Sequence, residues 1–186
     1  MQHWAAVKHL FRYLKGSLDY KLTYDASKGD EVFTTFCDAS HGDCKDSGRS
    51  TGGYVTVLAG GAIGWASKLQ PFVALSTTEA EYIAAVEAGK EIRWMRSILE
   101  EFGFPMTQSS VLRIDNQSAI SVTKNPEHHG RMKHLDLRFF WLREVVEAGT
   151  IALDFVPTAE QVADILTKPL TIPKVQFCTG QMGVSV

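Results

Sequence analysis

Cysteine is scarce in this 186-residue sequence, and Cys37, Cys44 and Cys178 are odd in number and form no CxxC pair. That argues against a disulfide framework and against a cysteine-ligated zinc site. Long apolar runs are missing as well. No stretch approaches the roughly 18 to 20 residues of a membrane span, and the amino-terminal segment MQHWAAVKHLFRYLKG is patterned as an amphipathic helix where a signal peptide would be continuously apolar. The chain therefore reads as soluble and intracellular, with no membrane partner. Nor is there an excess of positive charge: 19 Lys and Arg stand against 21 Asp and Glu, a formal net charge of −2. This is the wrong sign for binding nucleic acid by bulk charge, so any polyanion site must be local. Repeats and low-complexity tracts are absent too. What is present is 45% hydrophobic residues, enough for one real core.

Periodicity and punctuation divide the chain. Trp4, Val7, Leu10, Phe11 and Leu14 recur at steps of three and four, with Lys8, Arg12 and Lys15 between them and Gly16 as a stop. A strand-like piece follows (Tyr20, Leu22, Tyr24), and a boundary near Asp25 separates an opening unit, residues 1–24, from the remainder, 25–186. Residues 31–38 alternate as a strand covered on both faces. Residues 52–58 and 62–67 flank Ala59-Gly60-Gly61, a hairpin signal. A helix is expected over 77–101, a strand over 110–115, a helix over 116–124, a helix over 132–147, a strand over 151–156 and a last helix over 158–167. The remaining residues, from Thr171, read only as a possible helix or tail. The order β-β-β-α-β-α-α-β-α predicts an α/β fold with a five-stranded mixed sheet, three antiparallel strands plus two parallel to the first, flanked by helices.

Most of the 21 acidic residues must be solvated surface charges, so position has to sort them. Asp38 falls at the end of the first long strand on the face of Val32, Thr34 and Phe36, where a carboxylate is costly without a cation or donors. Asp115 ends the strand SVLRID. If these strands are parallel neighbours, both carboxylates emerge at the carboxyl edge where open α/β sheets keep their sites. In Ser76-Thr77-Thr78-Glu79-Ala80-Glu81, Glu79 fits the S-x-x-E capping box, whereas Glu81 heads the stripe Ala84, Ala85, Ala88, Ile92, Met95, Leu99 that must face the sheet. Thr158-Ala159-Glu160-Gln161 is a second capping-box candidate, and Asp164 beyond it carries only a weak signal of its own. Four such carboxylates at one edge repel by several kcal/mol per close pair, roughly at 4 Å, unless cations meet them. Oxygen-only ligands suit two Mg²⁺ ions, or Mn²⁺.

The segments FCDASHGD, RSTGGYVTVLAGGAIGWASKLQP, LSTTEAEYIAAVEAGKEIRWMRSILEEFGF, IDNQSAISVTKNP, RMKHLDLRFFWLREVVEAGTIALDFVPT and QVADILTKPL, in that order, resemble the ribonuclease H domain of copia-type LTR-retrotransposon Pol polyproteins. The opening HWAAVKHLFRYLKGSLDYKLTY resembles the end of the reverse transcriptase that precedes it. The resemblance implies a ribonuclease H-like fold and hydrolysis of the RNA strand of an RNA/DNA hybrid with two Mg²⁺ ions, leaving a 3′-hydroxyl and a 5′-phosphate. It implies Asp38, Glu81, Asp115 and Asp164 as the catalytic, metal-holding carboxylates, with the reverse transcriptase as partner and an intracellular, virus-like-particle setting. It selects Glu81 over Glu79 and raises Asp164 above its own signal.

One departure stands out. Cellular ribonucleases H carry a histidine in the loop before the last helix, and Val156-Pro157-Thr158-Ala159-Glu160 has none. His134 is the substitute that the RMKHLDLR motif offers, ahead of His128 and His129. For substrate contact, Asn116, Gln117 and Ser118 follow Asp115 and suit RNA 2′-hydroxyls, although Asn116 or Ser118 serves equally well as a helix cap. Residues 124–143 hold Lys124, Arg131, Lys133, Arg138 and Arg143 against Glu127 and Asp136, a local basic excess fit for phosphates or for a solvated face; Lys133, His134 and Arg138 are the contacts expected. Two competing readings stay open. One is a catalytically silent module packing on the polymerase, and the other is an integrase- or resolvase-type nuclease of the same fold.

Overall fold

The computed structural model describes residues 2–25, 27, 32–124 and 136–186, with residues 2 and 136–139 described by their backbone alone. The chain starts with helix α1 (Gln2–Gly16) and a two-residue strand β1 (Lys21–Leu22). Strands β2 (Thr34–Ser40), β3 (Thr51–Leu58) and β4 (Gly61–Leu69) follow, the last two joined by a tight turn in which Ala59 and Gly60 both have positive φ, 50° and 71°. Such a turn matches the twist of its flanking strands. Helix α2 (Thr77–Glu101) leads to β5 (Ser110–Ile114), α3 (Gln117–Lys124), α4 (Asp136–Glu147) and β6 (Ile151–Phe155). Two 3₁₀ turns, Thr158–Glu160 and Ala163–Leu166, precede α5 (Ile172–Gln181) and a terminal strand β7 (Val184–Ser185).

The main sheet has the order β4-β3-β2-β5-β6. Strand β2 is antiparallel to β3 and parallel to β5, β3 is antiparallel to β4, and β5 is parallel to β6. The expected five-stranded mixed sheet is therefore present. Both of its faces are covered, which explains why β2 is almost continuously buried. On one face Phe33, Cys37, Leu112 and Ile114 pack with the stripe of α2 (Ala84, Ala88, Ile92, Met95) and Leu142 of α4. On the other, Phe36 and Val55 pack with Val162, Ala163 and Cys178. Helix α2 matches its sequence signal at both ends, and Ser76 caps it as expected: Glu79 N–H donates to Ser76 Oγ (3.1 Å), while Glu79 Oε2 reaches one residue further back and accepts from Leu75 N–H (2.9 Å).

The segment 158–167 departs from the sequence reading. It is not an α-helix, because the side chains expected to cap one are tied to the sheet. Thr158 Oγ1 donates to Asp115 Oδ2 (3.0 Å), and the Gln161 amide donates to Cys37 O (2.8 Å). Gln161 itself is extended, with φ −67° and ψ 111°, which splits the segment into two short turns. The last helix is α5 instead, entered through Thr171 with a proline in its first turn, where the missing N–H costs nothing. Strand β2 also runs two residues beyond Asp38, so that the aspartate is not its terminal residue.

Strand β7 and the β3–β4 hairpin together fasten the opening segment. Strands β1 and β7 pair antiparallel, Thr23 N–H donates to Gly183 O (2.9 Å), Asp25 N–H to Ala59 O (2.7 Å), and Tyr24 Oη–H to Ala62 O (2.9 Å). Helix α1 itself is exposed along its length, with Trp4 and Phe11 each 64% accessible. Among the described residues, no helix is long and apolar enough to cross a membrane.

A close approach holds the 163–167 segment against the sheet. Gly53 lies across from Asp38 in the β2/β3 register, and a Cβ on it would meet Leu166 Cβ and Thr167 Cγ2 at 2.9 Å. Gly53→Ala should therefore push Leu166 and Thr167 away and cost about 1–3 kcal/mol, the range for overpacking. Urea unfolding of the variant beside the wild type measures this, and an unchanged midpoint would contradict the packing described.

Candidate metal centre

The parallel pairing of β2 with β5 brings the first two carboxylates together. Phe36 pairs with Arg113 and Cys37 with Ile114, so one further step in that register sets Asp38 beside Asp115. Asp38 is 1% exposed although the strand around it is apolar. Glu81 comes from the second turn of α2, is buried, and accepts from Ala39 N–H through Oε1 (3.2 Å). Its Oε2 is buried with no hydrogen-bond partner. One carboxylate oxygen each from Asp38, Glu81 and Asp115 lie within 4.8 Å of one another.

Asp164 sits in the second 3₁₀ turn, buried, beside this group but not within it. Its Oδ1 is 2.8 Å from Lys168 Nζ, an ion pair off the line of a good hydrogen bond, and its Oδ2 is 3.4 Å from Lys174 Nζ. Lys168 Nζ also lies 3.5 Å from Asp38 Oδ2, and Thr167 Oγ1 donates to that same oxygen. Asp164 thus reaches the other carboxylates through a lysine bridge.

The electrostatics follow from burial. Glu81 is pushed up from its ordinary value of 4.5 to about 9, first by burial and then by the Asp38 and Asp115 charges. Burial also raises Asp115; the Thr158 hydroxyl opposes the shift, and the Asp38 and Asp164 charges add to it. Burial works against the Lys168 ammonium, but its close contact with Asp164 and the attraction of the Asp38, Asp164 and Asp115 charges outweigh that and raise its pKa. The Cys37 thiol, beneath the site, is held well up by burial and by the Glu81, Asp38 and Asp115 charges, and so stays inert. An all-oxygen donor set with one buried oxygen left unpaired fits a hard divalent cation, which would favour the ionised form of each ligand.

Among the other expected residues, Asn116 acts as a helix cap, its Oδ1 accepting from Ala119 N–H (3.1 Å) at the start of α3. Gln117 and Ser118 are exposed next to Asp115. Lys133 and His134, with His128 and His129, lie outside the described residues, and Arg138 is described by its backbone in α4. Sequence reasoning missed Lys168, Lys174, Thr167 and Gln161. Only Lys168 carried a usable signal, four residues after Asp164, the spacing of a neighbour on one helical turn.

This architecture also occurs in solved ribonucleases H. LC11-RNase H1, isolated from compost by a metagenomic approach, superposes with a TM-score of 0.56 at 14% identity, covering 74% of this chain and 94% of that one. RNase H1 of Halobacterium salinarum gives 0.51 at 20% identity, covering 73% and 94%. The fold is thus that of the ribonucleases H. Searched against family models, the sequence matches none. In sequence the chain is 42% identical over 183 residues to the retrovirus-related Pol polyprotein from transposon TNT 1-94 of Nicotiana tabacum, covering 98% of this chain and 14% of the relative. It is 35% identical over 185 residues to that from transposon RE1 of Arabidopsis thaliana, covering 99% and 12%. Its homologues are copia-type retrotransposon Pol polyproteins, and the chain is a ribonuclease H-fold counterpart of a small part of their length.

The raised Glu81 pKa has a measurable consequence. Without divalent cations the folded chain keeps a proton on Glu81 that the unfolded chain releases above about 4.5, so stability present below that pH is lost as pH rises toward about 9. Glu81→Gln removes this equilibrium. In EDTA, the variant should gain urea stability over the wild type between pH 6 and pH 9; parallel pH profiles for the two proteins would show that Glu81 is not held protonated.

Proposed function

We propose that the chain is a divalent-metal-dependent ribonuclease H that hydrolyses the RNA strand of RNA/DNA hybrids during reverse transcription, leaving a 3′-hydroxyl and a 5′-phosphate. The observation that carries this reading is the convergence of Asp38, Glu81 and Asp115 at one sheet edge with Asp164 alongside. Fold and homology support it, and LC11-RNase H1, which shares the fold, has been crystallised in complex with an RNA/DNA hybrid.

In this reading Asp38, Glu81 and Asp115 hold one Mg²⁺ and Asp38 with Asp164 a second, Mn²⁺ being an alternative for either. Bound there, such a pair of ions would clamp the attacking and leaving oxygens of an in-line displacement at phosphorus. The chain's own groups set the frame for it. Asp38 is the shared ligand because it belongs to the triad and Lys168 links it to Asp164. Thr158 fixes Asp115 and Thr167 fixes Asp38, so neither carboxylate swings freely. Asn116 spends its Oδ1 on the helix cap and keeps its amide NH₂ for a 2′-hydroxyl, with Gln117 and Ser118 beside it. Lys133, His134 and Arg138 supply phosphate contacts, and no histidine precedes Asp164 in the 156–160 loop.

The chain spans 12–14% of the length of the Pol polyproteins it matches, so its partner is sought in the rest of such a polyprotein. Residues 1–24 are assigned to the end of the reverse transcriptase and 25–186 to the ribonuclease H domain. The exposed apolar side of α1 then packs on the polymerase, in an intracellular, virus-like-particle setting. The same exposed helix is what favours the second reading, a silent module whose task is to pack on that polymerase.

A hybrid-cleavage assay separates the two. With Mg²⁺ the wild type should cut the RNA strand, and Asp38→Asn should lose about a hundredfold or more in rate, as expected when a ligand shared by both ions is removed. Duplex DNA and a Holliday junction should remain uncut. Metal-dependent hybrid binding with no cutting by the wild type would overturn the enzymatic reading in favour of the silent module.

A further inference from the structure

Of the four carboxylates, Asp164 alone has both oxygens within ion-pair distance of ammonium groups. The two lysines are held differently. Lys174 is 18% exposed and anchored by groups that belong to no carboxylate: its Nζ donates to Thr158 O (2.9 Å) and Ala159 O (2.7 Å) and lies 5.2 Å from the centroid of the Phe177 ring. Lys168 is 35% exposed, and among the described residues its ammonium meets only the carboxylates, Asp164 at 2.8 Å and Asp38 at 3.5 Å. It occupies the space between the two groups that a cation shared by Asp38 and Asp164 would need. Across the site, Glu81 Oε2 has no hydrogen-bond partner, and among the described residues no ammonium lies within ion-pair distance of Glu81 or Asp115.

We infer that Lys168 is a displaceable counter-cation that divides the carboxylate site into an open ion position and a guarded one. This rests on the assignment of the four carboxylates as ion ligands. The triad of Asp38, Glu81 and Asp115 takes a divalent ion directly. The Asp38/Asp164 position takes one only as the Lys168 ammonium moves out, which its exposure and the absence of backbone anchors among the described residues allow, while Lys174 stays on the Thr158 and Ala159 carbonyls. Formally, four carboxylates face two ammonium groups, a deficit of two charges that one divalent ion fills. The second ion therefore enters a site already neutral, against a like charge a few ångströms away. Lys168 is a positioning residue in this scheme: it sets the order and spacing of the two binding steps and keeps Asp164 paired until the second ion arrives.

The test is calorimetric titration of the full chain with Mn²⁺, read as binding and not as turnover. The wild type should bind in two unequal steps, of which Glu81→Gln abolishes or weakens the tighter and Asp164→Asn the weaker. Lys168→Met should tighten the weaker step by about tenfold or more, the scale of one charge removed at a few ångströms in a partly buried site, and the tighter step, which shares only Asp38 with Lys168, by a smaller factor. Lys168→Arg, which keeps the charge, should retain the wide spacing. Because a lost charge partner can also harm folding, the wild type supplies a second readout: modification of lysines by an acylating reagent, followed by mass spectrometry. Lys168 should become more reactive as the second step fills, with Lys174 unchanged. Two ion steps that Lys168→Met leaves unmoved, or a Lys168 equally reactive at every Mn²⁺ concentration, would overturn the inference while leaving the carboxylate site standing. The lack of any Mn²⁺ step that responds to Glu81→Gln would instead overturn the carboxylate assignment itself, and this inference with it.

Discussion

Everything at the site depends on the parallel pairing of β2 with β5 in the middle of the sheet. That register carries Asp38 and Asp115 to the same edge, one step beyond the pairing of Cys37 with Ile114, with Asp38 buried and Asp115 half-buried. Burying carboxylates side by side is unfavourable, and the structure meets the cost in two ways. Glu81 is pushed toward its neutral form, and Asp38 and Asp164 are joined by Lys168. Both are substitutes for a cation. A fold that wanted only stability would place apolar side chains at these positions, and this one keeps the carboxylates.

The two faces of the sheet play different parts. The α2 face carries the larger apolar cluster, with Ile92, Leu112, Ile114 and Leu142 among its fully buried members, and fixes Glu81 through the rigidity of a long, well-capped helix. The opposite face is thinner. There the 161–167 segment is pinned by single contacts: Gln161 to Cys37 O, Ser67 to Leu166 O, and the bare surface at Gly53. Asp164 therefore stands on the less regular support, and its placement relies on named hydrogen bonds where Glu81 relies on helical packing.

The contrast explains what was legible in the sequence. Strand alternation around Phe36, the hairpin at Ala59-Gly60 and the stripe behind Glu81 are local patterns, and each maps onto an observed element. The cap role of Glu79 was likewise readable, since it lies three residues after Ser76, and the stripe that Glu81 heads turns it toward the sheet. The segment after Pro157 was not readable. Thr158 and Gln161 look like a helix-opening pair, but their partners are Asp115 and Cys37, which lie 43 and 124 residues away along the chain. No local rule sees such bonds. The same holds for Lys174: nothing in TIPK announces a cation aimed at a carboxylate ten residues earlier.

The central claim is that this sheet edge exists to hold divalent cations. Anomalous diffraction from crystals of the chain grown with Mn²⁺ and an RNA/DNA hybrid tests it most directly. The account predicts one Mn²⁺ peak within ligand distance of Asp38, Glu81 and Asp115 and a second between Asp38 and Asp164, with the scissile phosphate against both. Crystals that contain hybrid and Mn²⁺ but show no anomalous peak at these carboxylates would contradict it.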